Sequence, residues 1–151
     1  MMNLINSWLS LAVVLCITPA FAQSVTDHCP VSIIPITGEQ PPAKIVVDPP
    51  LAEPLAARSV AIIQYCAENL HIAPVFGPAA AEASPRIGHL HVTVDDSPWH
   101  WADASGNPII LQGLSPGPHK VLIELADANH RVIDKATVTF VVPEKNADAQ
   151  H

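Results

Sequence analysis

Basic side chains are scarce in this chain: 7 Lys and Arg stand against 14 Asp and Glu, a net charge of −7. A surface of that sign repels phosphate backbones and anionic headgroups, which excludes nucleic acid and acidic lipid as partners. Aromatic residues are few, with 3 Trp, 3 Phe and 1 Tyr, so any core is built mainly from Ala, Val, Ile and Leu. The chain has no nucleophile elbow, no phosphate-cradling glycine loop and no His-Glu-x-x-His sequence, and catalysis is left without a motif. A sustained helical period and internal repeats are absent as well.

What is present begins with an address. Trp8 to Ile17 is an apolar run, and Ala20-Phe21-Ala22 has the small-x-small form that precedes cleavage, so residues 1–22 read as a signal peptide and Gln23 as the mature start. The run falls short of the roughly 20 apolar residues a bilayer span needs. A periplasmic or secreted protein with no membrane span after signal removal is therefore expected. Of the three cysteines only Cys29 and Cys66 lie beyond this segment. In an oxidising compartment they form a disulfide candidate. Two independent thiols, or Cys29 beside His28 as metal ligands, are the competing readings.

Seven prolines fall between residues 23 and 57, which favours an extended leader over a helix. One short strand fits at Lys44 to Val47. From residue 58 to 143 the pattern becomes that of a β domain. Val60 to Tyr65 and Leu70 to Phe76 read as strands, with Gly77 to Pro85 a loop between flanking prolines. Ile109 to Leu111 follows the Asn107-Pro108 turn. In His119 to Asp127, residues His119, Val121, Ile123 and Leu125 share one face. Ala136, Val138, Phe140 and Val142 alternate in the same way up to Pro143, and residues 144–151 form a polar tail. Short strands, turns every 8 to 15 residues and no long helix predict an all-β fold, an immunoglobulin-like antiparallel β-sandwich.

The densest stretch is Gly88 to Trp101. Leu90, Val92 and Val94 alternate with His89, His91 and Thr93, so His89 and His91 point the same way on the polar face of a strand. Their Cα atoms are then about 6.5–7 Å apart, and both imidazoles can converge on one ion. Imidazole is the common protein ligand for copper and zinc. His119 or His130 is the candidate to complete the site, with Asp95, Asp96 or Asp127 as an oxygen ligand. The plainer alternative leaves His89 and His91 as solvent-facing residues, His119 as a partly buried histidine bonded to a carbonyl, and His130 as a turn residue. Trp99 and Trp101 share a face if the strand resumes after Ser97-Pro98, with His100 opposite. One ring is expected to plug the core and the other to be exposed.

Four elements together, Asn69 to Pro74, Gly88-His89-Leu90-His91, Pro116-Gly117-Pro118-His119 and Asp127 to His130, resemble small secreted bacterial proteins grouped in domain-of-unknown-function families. The resemblance implies an exported immunoglobulin-like sandwich with no assigned activity. The last strands and the Asp-x-x-His corner also resemble periplasmic copper-resistance proteins of the CopC type. That likeness implies a copper site using an Asp and a His at the corner, here Asp127 and His130. The mature N-terminal histidine of that family is replaced by Gln23. Two functions are expected from these readings: binding of copper or zinc through His89, His91, His119, His130 and Asp127, or a metal-free module that docks another envelope protein.

Overall fold

The computed structural model describes residues 38–144. The expected signal peptide, Cys29, the first part of the leader and nearly all of the tail lie outside these residues. In chain order the elements are β1 (Lys44–Val47), α1 (Ala52–Arg58), β2 (Ala61–Ile63), β3 (Tyr65–Glu68), β4 (His71–Ile72), α2 (Pro78–Ala81), β5 (Ile87–Val94), β6 (Trp101–Asp103), β7 (Ile109–Leu111), β8 (Gly117–Asp127) and β9 (Val132–Val142).

The main sheet runs β4-β5-β8-β9, with β6 pairing β5 as well. Only β4 and β5 are parallel; the other pairs are antiparallel. Two smaller antiparallel pairs, β1 with β3 and β2 with β7, contribute Ile45, Ala61, Ile63, Ile109 and Leu111 to the same core as the main sheet. The result is an all-β sandwich dominated by antiparallel pairing.

Register explains why the core forms where it does. Across the main sheet Leu90 faces Leu125, and Val92 faces Ile123. Val121 faces Val138 one strand further on. These side chains are all buried on one side of the sheet, and each of the large aliphatics stabilises the fold by about 1.5–3 kcal/mol. Residues 119, 121, 123 and 125 share this face as their alternation predicts.

Differences from expectation are local. The leader is not all extended: α1 lies within it, because Pro54 falls in the first helical turn, where its missing N–H leaves no intrahelical bond unmade. Ile45 of β1 is a core residue, so the sandwich begins before residue 58. Gly77 to Pro85 includes the single helical turn α2 in place of a plain loop. The apolar run after Ser59 is divided into β2, β3 and β4 because it serves three different partners, β7, β1 and β5. Cys66 is disulfide-bonded. No helix among the described residues is long and apolar enough to cross a membrane.

Candidate metal centre

The centre is built on the outer face of β5, the side opposite Leu90 and Val92. Its first requirement is Gly88. A Cβ on that residue would lie 2.2 Å from the carbonyl oxygen of Ala126 and 2.9 Å from Leu70 Cδ1. Glycine alone lets β5 close on β8 at this point. His89 then sits directly across from Ala126, and His91 across from Glu124.

The third histidine comes from the corner between β8 and β9. Asp127 organises that corner: Oδ1 accepts the amides of Asn129 at 2.9 Å and Arg131 at 3.0 Å, and Oδ2 accepts Arg131 Nε at 3.1 Å. Burial pushes its carboxyl up, but these donors outweigh it and hold the pKa below the usual aspartate value. His130 takes the left-handed backbone conformation with φ 64° and turns its ring back over β5.

Three ring nitrogens meet there. His89 Nε2 is 2.9 Å from His91 Nε2 and 2.9 Å from His130 Nδ1, and the latter two are 3.1 Å apart. Hydrogen bonding alone cannot satisfy such a triangle. One inward proton leaves two lone pairs opposed along an edge, and two inward protons oppose each other. A cation that accepts all three lone pairs removes the conflict. A point at the usual metal–imidazole length, about 2.0–2.1 Å from each nitrogen, lies about 1 Å to one side of their plane. The angles subtended there are about 95°, and opening the pairs by about 0.2–0.5 Å reaches the tetrahedral arrangement typical of zinc. Among the described residues, His89, His91 and His130 are the group with metal-ligand spacing.

The electrostatics favour neutral, ligating rings. Burial holds His89 down at about 4, helped by His91 and His130 and opposed by Asp127. Burial also lowers His91, with His100 and His130 adding to the effect and Glu124 opposing it. The plain reading of these two histidines as solvent-facing is corrected here, since His89 is 0% and His91 7% exposed. The outer face of β5 is covered: Phe76 packs edge-on to His89 at 5.0 Å and stacks on His130 at 5.6 Å. Gly77 N–H donates to Ala128 O at 2.9 Å and pins that cover in place. His89 Nδ1 is buried without a hydrogen-bond partner. Packing orients this ring, in place of the carboxylate or carbonyl that commonly steers a metal-bound imidazole.

Two expected ligands stand elsewhere. His119 is on the core face of β8, seven residues and about 23 Å of strand from Ala126. Its Nδ1 bonds Asp95 Oδ2 at 2.7 Å and its Nε2 bonds the Ser115 carbonyl at 2.7 Å, so neither nitrogen is offered to an ion. Asp127 is spent on the corner and acts by holding His130. Asp95 also accepts the Lys120 amide at 2.9 Å, and Asp96 pairs with Lys120 Nζ at 2.7 Å. Sequence reasoning missed Phe76 and His100. The His100 ring lies 4.7 Å from that of His91. Its signal was the alternation with Trp99 and Trp101, which puts it on the histidine face once β6 pairs with β5.

The family model for DUF6130, described as a family of unknown function, matches residues 3–151. The chain belongs to that family. No curated protein and no solved structure matches it. The description of DUF6130 names no function, so the chemistry of the centre rests on its own geometry.

Proposed function

We propose that this DUF6130 protein binds one transition-metal ion, copper or zinc, through His89, His91 and His130 after export from the cytoplasm. The observation that carries the reading is the triangle of nitrogens with sides of 2.9, 2.9 and 3.1 Å. No placement of protons satisfies it and a shared cation does. An all-imidazole set suits copper and zinc over magnesium or calcium, which prefer oxygen. Between the two divalent ions, copper is favoured by intrinsic affinity. Elemental analysis and calorimetry with copper and zinc on the purified protein test this. Stoichiometric binding with submicromolar affinity is expected, and His130→Ala is expected to weaken it without unfolding the domain, because that side chain is exposed. Absence of binding by the parent, or unchanged affinity in His130→Ala, refutes the assignment.

A second reading has its own observation. Trp99 is 62% and Ile110 55% exposed, and with Trp101, Val94 and Leu114 they line one groove. The two indole rings lie 6.2 Å apart. In this reading the module docks another envelope protein through tryptophan. Trp99→Ala then abolishes capture of that partner while His130→Ala retains it, and the reverse pattern rejects the tryptophan groove.

A further inference from the structure

An ion held by His89, His91 and His130 has at least one coordination position left, because the three nitrogens lie to one side of it. What flanks the triangle decides what can fill that position. Phe76 occupies the flank formed by His89 and His130, with ring centroids at 5.0 and 5.6 Å, and carries no donor atom. On the His91 flank stands His100, whose ring is tilted 31° against that of His91 at 4.7 Å. His100 immediately precedes β6. Because Ala102 of β6 faces His91, the neighbouring alternation sets His100 on the histidine side of the sheet and Trp101 on the core side. His100 is exposed. The turn before it is closed by Ser97 N–H donating to Val94 O at 3.0 Å, with a longer contact from Trp99 N–H to Ser97 Oγ at 3.5 Å, and an exposed side chain such as that of His100 changes rotamer readily.

We infer that His100 is the fourth protein ligand of the centre, moving from its place against His91 onto the open position of the bound ion. The inference rests on the metal-binding reading above and deepens it. A fourth imidazole closes the coordination sphere, which makes the centre a holding or delivery site. A site whose fourth position stays with water is the arrangement of catalytic zinc. The rival ligand on the His91 side is Glu124, which faces His91 on one strand and Lys135 on the other.

Cobalt(II) is the probe, because its visible absorption is strong when four-coordinate and weak when water raises the coordination number. The cobalt-loaded parent should give the strong bands and should not respond to added azide. His100→Ala should give the weak bands and should respond to azide. Its zinc affinity should fall by at least the roughly 10- to 100-fold that loss of an outer-shell partner costs. Glu124→Gln should match the parent in both respects. If His100→Ala is indistinguishable from the parent, or if Glu124→Gln alone changes the spectrum, His100 is not the fourth ligand while the three-histidine site stands. If the parent takes up neither cobalt nor zinc, the metal reading falls and this inference with it. His100→Gln, which preserves polarity and bulk, guards against a folding defect and should behave as His100→Ala does.

Discussion

Replacing Gly88 with alanine tests how closely the fold and the centre are joined. The added methyl would stand 2.2 Å from a backbone oxygen, that of Ala126, and 2.9 and 3.1 Å from the two methyl carbons of Leu70. The leucine can rotate away, but the carbonyl belongs to β8 and cannot. Restoring an ordinary contact requires β5 and β8 to part by about 1 Å at the His89–Ala126 pair. Overpacking of that kind costs about 1–3 kcal/mol. A weakened ladder bond adds about 1 kcal/mol, and the stiffer unfolded chain returns about 0.4–1 kcal/mol. The net is a loss of about 1–3.5 kcal/mol, which lowers Tm by about 4–15 °C in a domain of this size. The same parting draws His89 away from His130, and a nitrogen separation near 4 Å approaches the limit that one ion with bonds of about 2.0–2.1 Å can bridge. Zinc affinity therefore falls together with Tm. Thermal unfolding followed by circular dichroism, paired with zinc calorimetry, reads both effects. The double variant Leu70→Ala with Gly88→Ala should gain nothing over Gly88→Ala, since the obstacle is the backbone. A Tm within 2 °C of the parent, or rescue by Leu70→Ala, would refute the close-approach account.

Asp127→Asn should lower zinc affinity and cost about 1–2 kcal/mol of stability through the weakened corner, yet leave the spectrum of the cobalt-loaded form unchanged, because Asp127 positions His130 without touching the ion. A changed spectrum would instead make Asp127 a ligand. The His119–Asp95 pair gives a stability that depends on pH. The carbonyl of Ser115 and then Asp95 raise His119 above its ordinary 6.5, so its contribution is complete below 6.5 and is lost as pH rises through the raised value. The amide of Lys120 and then His119 lower Asp95 below 3.8, so its contribution is complete above 3.8 and is lost as pH falls through the lowered value. Between these limits the pair is fully engaged. Urea midpoints of the parent should fall above pH 6.5 relative to those of His119→Gln, and parallel curves would rule the pair out as a source of that slope.

The long strands were legible because β8 up to Leu125 and the second half of β9 alternate between buried and more exposed residues, so period-two reading places Val121, Ile123, Leu125, Val138, Phe140 and Val142 correctly. β5 defeated the same logic. Its second face is buried too, beneath Phe76 and His130, and histidine at alternate positions reads as solvent-facing when the cover comes from distant segments. The convergence of His89 and His91 followed from strand geometry alone, and His130 was named as a partner. His119 and Asp127 were not separable in sequence from the clustered His89, His91 and His130, because which hydrogen bonds occupy a nitrogen or a carboxylate depends on register and on the corner. The helix α1 was hidden by prolines, although Pro54 stands at one of the few helical positions that tolerate it.

The backbone of His130 carries a consequence beyond coordination. At φ 64° this residue occupies a conformation that glycine adopts freely and that costs a side-chain-bearing residue about 1–2 kcal/mol. In metal-free protein, then, His130→Gly should raise the denaturant midpoint even as it removes a proposed ligand, and a lowered midpoint would count against any strain at that corner. The domain is in that sense tensed at its β8–β9 corner: the residue that completes the triangle of ring nitrogens is one that the fold alone would be more stable without.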